Sequence, residues 1–290
     1  MEKVVAMQDM QDLYSGIYKG KTVLFTGHTG FKGSWLSLWL ERLGAKVIGY
    51  SLPAPTEPNH IGLLNLNIVQ VIADIRDLAK LNEVFAAYKP DIVFHFAAQA
   101  LVRPSYADPI TTYETNVIGT LKVLEACRKA GVRAIVNITS DKAYENKEWV
   151  WGYRESDPMG GYDPYSSSKG CADLLANSYR NSFFNEKDYG TKHQTLLATC
   201  RAGNVIGGGD WAQDRLICDV MRAAAKNEAV TIRNPHATRP WQHVLEPLGG
   251  YLLVGQKLLE GRKEFGGAWN FGPSDDGAIR VLDVLKSAKR

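Results

Sequence analysis

The chain has 290 residues, of which 45% are hydrophobic and 22% charged, and its formal net charge is +3. This composition is typical of a soluble globular protein, and the length allows one large domain or two moderate ones. The positive charge is spread along the chain instead of being gathered in a run, which argues against nucleic acid as the main partner.

The cysteines and histidines indicate neither a disulfide framework nor a metal site. Cys127, Cys171, Cys200 and Cys218 are scattered without a C-x-x-C pair, so we expect reduced, mostly buried thiols. The six histidines show no metal-ligand spacing, and we expect no metal. The acidic N-terminus is unlike a signal peptide, and no stretch approaches the roughly 20 apolar residues that span a bilayer. We therefore expect a soluble, cytoplasmic protein.

A glycine-rich turn follows the first predicted strand. Residues 1–20 are predicted to form a short polar leader, partly helical, and the apolar run 22–25 predicts a buried strand. Gly27, Gly30 and Gly33 come next, and the residues after them have the apolar spacing of a helix. This order is typical of a dinucleotide-binding βαβ unit, in which the glycines permit a tight turn, the approach of a phosphate and close packing of helix on strand. An ordinary turn is the alternative.

Strands and helices then alternate as far as about residue 203. Strands are predicted at residues 45–50, 68–73, 91–99 and 134–138, and helices at residues 110–130 and from 165 onward. This alternation predicts an α/β fold of Rossmann type with a doubly wound parallel sheet.

The character of the chain changes after Arg201. A loop is predicted at residues 204–211, helices at 215–227, 246–260 and 281–288, and strands at 230–232 and 269–271. We therefore predict a dinucleotide-binding domain at residues 1–203, with 240–272 packing back onto it. Residues 204–239 and 273–290 are predicted to form a smaller substrate-binding domain.

Several polar positions near the predicted strand ends have more than one interpretation. Ser51 and Leu52 stand where dinucleotide folds often place an acid for the adenine ribose, so the choice between NAD and NADP stays open here. Asp74 is interpreted either as the cap of the next helix or as an acceptor for the adenine amino group. His95 lies inside an apolar run and is expected to be a packed core residue. Asn116 is an interior polar group that needs partners.

Tyr165 and Lys169 are four residues apart and therefore lie on one face of a helix. A lysine ammonium beside a phenol favours the phenolate, so we expect a lowered pKa for Tyr165. Such a tyrosine can take the proton of an alcohol while a hydride leaves its carbon. A surface pair is the alternative, but the pair follows a dinucleotide turn and a strand that ends in Thr139 and Ser140.

These motifs together resemble the extended short-chain dehydrogenase/reductase family over nearly the whole chain from about residue 20. The resemblance implies NAD as cofactor and a sugar nucleotide as substrate. It implies a cofactor site made of Gly27, Thr29, Gly30, Phe31, Lys32, Gly33, Asp74, Ile75, Ala97, Ala98, Gln99, Asn116, Tyr165 and Lys169. Contacts to the sugar diphosphate are implied for Asn204, Arg215 and Arg239, with Arg103 able to reach the same cleft or, like the others, to be a surface ion-pair partner.

Residues 139–144 resemble more narrowly the sugar-nucleotide 4,6-dehydratases, and this implies five catalytic residues. Tyr165, aided by Ser140 and Lys169, removes the O4 proton as hydride moves from C4 to NAD. Asp141 protonates the departing C6 hydroxyl, and Lys142 takes or relays the C5 proton or stabilises the enolate. Hydride then returns to C6. A solvated loop pair is the alternative for Asp141 and Lys142, and a lysine base must have a depressed pKa to be neutral.

Other readings of the same family remain open. Sister dehydratases carry Asp-Glu where this chain has Asp141 and Lys142, and an epimerase or a dehydratase for another nucleotide is the nearest rival. A cofactor-binding protein without turnover is a rival of a different class. The resemblance suggests a homodimer packed through helices 110–130 and 165–182, an exchangeable cofactor, and a role in polysaccharide precursor synthesis. Family members continue beyond the last predicted helix, so we expect either a chain truncated at its C-terminus or a protein that has lost part of its nucleotide pocket.

Overall fold

A computed structural model describes residues 10–274 and 277–288, and seven parallel strands form its central sheet. These strands are unusually apolar, and most of their residues are buried on both faces, as expected for a parallel sheet that helices cover on both sides. In chain order they are β1 Thr22–Thr26, β2 Lys46–Ser51, β3 Val69–Ile72, β4 Ile92–His95, β5 Ala134–Ile138 and β6 Leu196–Ala202. A later strand of the chain, Ala268–Phe271, completes the sheet beside β6.

The remaining strands are short and lie outside this sheet. β7 Val205–Ile206 pairs in parallel with β9 Gln242–His243, and β8 Thr238–Pro240 pairs in antiparallel with β11 Ala278–Arg280. The late strand of the main sheet is therefore β10. The main sheet has the order β10-β6-β5-β4-β1-β2-β3, which confirms the predicted Rossmann-type doubly wound fold.

The helices connect the strands and cover both faces of the sheet. They are α1 Phe31–Arg42, α2 His60–Leu63, α3 Leu78–Tyr88, α4 Val102–Ala107, α5 Pro109–Tyr113, α6 Thr120–Ala130, α7 Pro164–Ser182, α8 Leu216–Ala225, α9 Leu245–Leu259 and α10 Val281–Ala288. A π-helical turn, Glu114–Gly119, joins α5 to α6, and 3₁₀ turns lie at Leu13–Gly16, Asp141–Ala143, Glu186–Asp188 and Lys263–Phe265.

Successive strand residues point to opposite faces of the sheet and so build two cores. Phe25 and Phe94 lie on the face covered by α1 and α9, whereas Leu24 and Val93 lie on the face covered by α3, α6 and α7. Burial of each such side chain contributes roughly 1.5–3 kcal/mol to the free energy of folding. This contribution determines toward which face of the sheet each strand residue points.

The carboxyl ends of the parallel strands lie along one edge of the sheet, and the register pairs polar residues on neighbouring strands near that edge. Thr26 pairs with His95, and His95 with Asn137, on the neighbouring strands β1, β4 and β5. The strand order reverses between β1 and β4, and ligands of such sheets bind in the crevice outside this point.

Three sequence predictions need correction. Residues 230–232 do not form a strand, because three residues of partly exposed chain find no neighbouring strand among the described residues. The strand predicted at 91–99 ends at His95, where the chain leaves the sheet as a loop. The leader is not merely polar: Tyr18 is fully buried and its hydroxyl donates to the Leu252 carbonyl at 2.5 Å. Residues 1–9 lie outside the described part.

The described helices include none that is both long and apolar enough to cross a membrane. The four cysteines are free thiols, and Cys127, Cys200 and Cys218 are buried, while Cys171 is half-buried.

Candidate active site

The glycine turn between β1 and α1 is sterically closed to other residues. Gly27 has φ +85°, a region that L side chains rarely adopt, and its N–H donates to the Tyr50 carbonyl at 2.9 Å. A Cβ on Gly27 would lie 2.8 Å from the backbone nitrogen of Ala97, and one on Gly33 would lie 2.0 Å from the Gly27 carbonyl oxygen. The turn therefore lies directly against the loop after β4.

The start of α1 leaves donors available to an anion. Gly30 is the N-cap and has no side chain to bond the first turn, whose N–H groups have no partner within a helix. A helix N-terminus with its dipole and open N–H groups suits a pyrophosphate. Phe31 follows and packs near Gly207 of the loop after β7, where a Cβ would lie 3.5 Å from its ring.

Thr29 and His28 tie the turn to the ends of β2 and β3. The Thr29 hydroxyl donates to the Leu52 carbonyl at 2.9 Å and is 2.7 Å from the Ser51 hydroxyl. His28 is buried, with Nε2 3.2 Å from the amide oxygen of Gln70 and with no partner for Nδ1 among the described residues. Burial lowers the pKa of His28, so its ring is neutral.

The two interpretations of Asp74 are resolved in part. The cap of α3 is Asp77, whose carboxylate accepts from the Lys80 N–H at 3.0 Å. Asp74 instead accepts from Arg76, whose guanidinium lies 2.7 Å away and lowers the pKa of the Asp74 carboxyl. Ile75 between them is buried against Gly119.

The loop after β4 is organised by Gln99 and Asn116. The Gln99 side chain bonds the Leu101 backbone N–H at 2.6 Å and carbonyl at 2.9 Å, so it shapes the loop. The buried Asn116 amide accepts from the Gln99 N–H at 2.8 Å and donates to the Ser168 hydroxyl on α7 at 2.8 Å. Asn116 thus holds the loop, which begins with Ala97 and Ala98, against the helix that carries Tyr165.

Tyr165 lies in the first turn of α7, which has strong start signals. Asp163 caps the helix through the Ser166 N–H at 2.9 Å, and Pro164 occupies the first position. The Tyr165 N–H donates to the Ser105 hydroxyl on α4 at 3.1 Å. Burial raises the pKa of Tyr165 to about 12, while a hydrogen bond with Ser140 opposes this. The predicted lowering of the pKa is wrong for this structure, because desolvation of the phenol outweighs the interactions with its charged neighbours.

Lys169 lies one turn farther along α7 and is buried. Its Nζ is 3.4 Å from the Ile138 carbonyl at the end of β5. Burial and then Lys32 lower the pKa of Lys169 to about 8, and Asp173 opposes both. His95 on the neighbouring strand is neutral, since burial and then Lys169 lower its pKa to about 3. Its ring bonds the hydroxyls of Thr26 and Thr120, as a packed core residue.

The 3₁₀ turn after β5 presents Ser140 and Asp141 to the same cleft. Ser140 is the N-cap of this turn, and its hydroxyl donates to the Asp141 carboxylate at 2.9 Å. Lys142 differs, because its side chain is exposed and has no hydrogen bond or ion pair within the described ranges. The family resemblance implies that Lys32 contacts the cofactor. In the structure Lys32 also lies near enough to Asp141 for the two charges to interact. Desolvation and then Arg215 lower the pKa of Lys32 to about 8, and Asp141 opposes them.

Three of the four candidate substrate residues, Asn204, Arg215 and Arg239, lie beyond β6, whereas Arg103 lies on α4. Arg215 bonds Asp210 at 2.7 Å and lies close enough to Tyr165 to favour its phenolate. Arg103 bonds Asp214 at 3.0 Å and is largely exposed, as an ion-pair partner. The remaining two are Arg239, which donates to the Thr238 carbonyl, and Asn204, whose carbonyl accepts from the Gln242 N–H.

A buried ion pair that was not predicted from the sequence lies beneath the site. Asp173 on α7 accepts two hydrogen bonds from Arg201 on β6, both at 2.7 Å. The spacing of Asp173, four residues after Lys169, is the only sequence signal that points to it.

Comparison with known proteins shows to which protein family the chain belongs. Residues 24–260 match the family described as GDP-mannose 4,6 dehydratase. The chain is 59% identical over 271 residues to the CDP-glucose 4,6-dehydratase of Salmonella typhimurium (strain LT2), covering 92% of this chain and 75% of that protein. The fold is shared with a dTDP-glucose 4,6-dehydratase, the DesIV double mutant from Streptomyces venezuelae, with TM-score 0.77 at 23% identity, covering 92% of this chain and 79% of that one. MoeE5 in complex with UDP-glucuronic acid and NAD gives TM-score 0.74 at 26% identity, with 91% and 80% covered.

The chain belongs to the GDP-mannose 4,6 dehydratase family, within the extended short-chain dehydrogenases/reductases. The resemblance inferred from the motifs is thereby confirmed.

Proposed function

We propose that this chain is an NAD-dependent sugar-nucleotide 4,6-dehydratase that converts CDP-glucose to CDP-4-keto-6-deoxyglucose. The 59% identity to a CDP-glucose 4,6-dehydratase carries this proposal. Four strings of this sequence also resemble that enzyme, at residues 27–36, 139–144, 203–211 and 239–244. The presence of Asp141 beside Ser140 favours a dehydratase over an epimerase, because only elimination needs an acid for a departing hydroxyl.

The residues at the crevice fit a dinucleotide cofactor. Gly27 and Gly33 allow a close backbone packing that any Cβ would prevent, and the open first turn of α1 would hold the pyrophosphate. MoeE5, which shares this fold, is solved with NAD. The glycine turn and Lys169 would be among the residues that hold NAD, which when bound would supply the acceptor for the C4 hydride that is returned to C6.

The side chains then divide the proton transfers between them. Tyr165 takes the O4 proton, and its bond to Ser140 holds the phenol toward the substrate. Asp141 donates a proton to the C6 hydroxyl as it departs. Lys142 takes or relays the C5 proton or stabilises the enolate. Lys32 is a second candidate for this step, because its pKa is lowered to about 8 and its ammonium therefore gives up a proton more readily than that of an ordinary lysine. Arg215 and Arg239 would bind the diphosphate.

The first test is turnover of CDP-glucose that carries deuterium at C4, with added NAD. We expect a 4-keto-6-deoxy product that retains the deuterium at C6, because the hydride never leaves the active site. Mass spectrometry of the product locates the label, and UDP-, GDP- and dTDP-glucose serve as matched substrates. Absence of product with NAD binding intact would remove the dehydratase proposal, and preference for another nucleotide would remove only the CDP assignment.

The glycine turn provides a second test, by substitution of Gly33→Ala. A Cβ here would lie 2.0 Å from a backbone oxygen, so the turn must open and NAD affinity should fall about tenfold or more. Gly152→Ala is the control, since a Cβ there meets nothing within 4 Å. Calorimetric titration with NAD measures both variants, and equal affinities for the two would show that the turn is not the cofactor site.

The second, smaller domain also remains a proposal, at residues 204–239 and 273–290. It is supported by the pairing of β8 with β11, which joins these two segments of chain. A homodimer through residues 110–130 and 165–182 is supported by apolar side chains exposed along both, among them Ile110, Ile118 and Leu174. A cytoplasmic location remains a prediction.

A further inference from the structure

A buried ion pair connects the helix of Tyr165 to the strand beyond the site. The Arg201 guanidinium donates through Nε and one terminal nitrogen to the two carboxylate oxygens of Asp173, each at 2.7 Å. Their side chains are 6% and 5% exposed. This planar two-bond geometry fixes both side chains, so α7 cannot shift along β6 without breaking it.

The same pair holds the chain on both sides of the turn that carries Ser140 and Asp141. Before the turn, the Thr139 hydroxyl donates to Asp173 at 2.9 Å. After the turn, the Tyr144 hydroxyl lies 2.6 Å from the remaining Arg201 nitrogen, and the guanidinium stacks over the Tyr144 ring at 5.0 Å. Tyr144 in turn donates to Asn270 on β10 at 2.7 Å.

The presence of a buried ion pair does not by itself indicate that the pair serves to stabilise the fold. Desolvation of two charges offsets much of their attraction, and apolar residues of similar volume often stabilise a fold equally well. The position of the pair, one helical turn after Lys169 and adjacent to Thr139, indicates a role in the site.

The charges that surround Lys169 show what the pair supplies. Lys32 from α1 is a cation, His95 from β4 is neutral, and Asp173 on α7 is the anion that favours the ammonium form of Lys169. Asp173 itself is faced by Arg201 from β6 and by Arg180 on α7. Within the described part of the chain, Asp173 is therefore the group whose charge opposes deprotonation of Lys169.

We propose that Asp173 is a positioning residue that, held by Arg201, fixes the Ser140 turn against α7 and supplies the negative charge that Lys169 needs. This inference rests on the proposed function, since it assigns to Lys169 the task of supporting the Tyr165 phenolate as an ammonium.

The test is the double variant Asp173→Asn/Arg201→Gln, which removes both charges and leaves no buried charge unpaired. Loss of the carboxylate removes an attraction for the ammonium, so the Lys169 titration midpoint should fall by about one unit. NMR titration of protein labelled with ¹³C at the lysine ε carbon measures this without turnover, and Lys169→Met identifies the signal. The alkaline limb of the kcat profile for CDP-glucose should move to lower pH by the same amount.

The exposed pair Arg262 and Glu264 provides the matched control, as Arg262→Gln/Glu264→Gln, which should leave the midpoint and the profile unchanged. An unchanged Lys169 midpoint in the folded Asp173 double variant would overturn the proposal. If that variant does not fold, Asp173→Asn alone gives the same readout, and Thr139→Val should lower kcat without moving the alkaline limb. A wild-type chain without turnover would contradict the proposed function, while the NMR midpoint would still decide the role of Asp173.

Discussion

Tyr165→Phe is expected to lower kcat for CDP-glucose about a thousandfold while KM and NAD affinity change little. The phenyl ring preserves the shape of the side chain, and the Tyr165 N–H still donates to Ser105, so α7 keeps its place. Only the hydroxyl that we propose takes the O4 proton is lost. Steady-state kinetics together with calorimetric NAD binding separates chemistry from binding.

The matched control is Tyr162→Phe, three residues earlier in the same segment. Tyr162 is exposed, and its hydroxyl makes one bond, to the Asn146 carbonyl at 3.4 Å. We expect wild-type kinetics from it. A Tyr165→Phe enzyme that retained more than about a tenth of kcat would show that another group removes the proton.

Asp141→Asn is expected to separate the two halves of the reaction. In the proposed mechanism oxidation at C4 depends on Tyr165 and Ser140 and should proceed in this variant. Elimination would lose its proposed proton donor and should slow about a hundredfold. Reduced cofactor should therefore accumulate in a single turnover before product appears. Stopped-flow absorbance of NADH follows the first half, and quenched samples follow the product.

Glu148→Gln controls for the loss of a carboxylate in the neighbouring loop, since Glu148 is exposed and outside the cleft. Its NADH trace should match that of the wild type. If Asp141→Asn slowed NADH formation and product formation equally, the carboxylate would act on oxidation, through the bond that it accepts from Ser140.

The fold could be predicted from the sequence because its signals are local. Buried apolar strands, the glycine turn and regular alternation predict the doubly wound parallel sheet, although β6 is not among the individually predicted strands. The spacing of Tyr165 and Lys169 predicts their shared helix face. The strand prediction for residues 230–232 was wrong because a short alternating apolar segment forms a strand only if a neighbouring strand accepts its hydrogen bonds.

The electrostatics of the site could not be predicted in the same way. The pKa of Tyr165 depends on how deeply the phenol is buried, and spacing to Lys169 carries no information on burial. Lys32 reaches the cleft because α1 points its first turn toward Asp141, which only the packing of the whole sheet decides. Asp173 and Arg201 meet although 28 residues separate them in the chain.

The late position of β10 in the chain has a consequence for biosynthesis. β6 is buried along its whole length in the folded protein, and its outer edge stays unpaired until residues 268–271 have emerged from the ribosome. Exposed edges of this kind recruit other chains, so the nascent protein passes through an interval of elevated aggregation risk. Asn270 on β10 also accepts the hydrogen bond of the Tyr144 hydroxyl. The chain that follows the turn of Ser140 and Asp141 therefore gains this contact only when β10 joins the sheet. The pairing of β10 with β6 therefore does two things in one folding step: it covers the exposed edge of the sheet, and it adds the bond from Tyr144 beside the candidate active site.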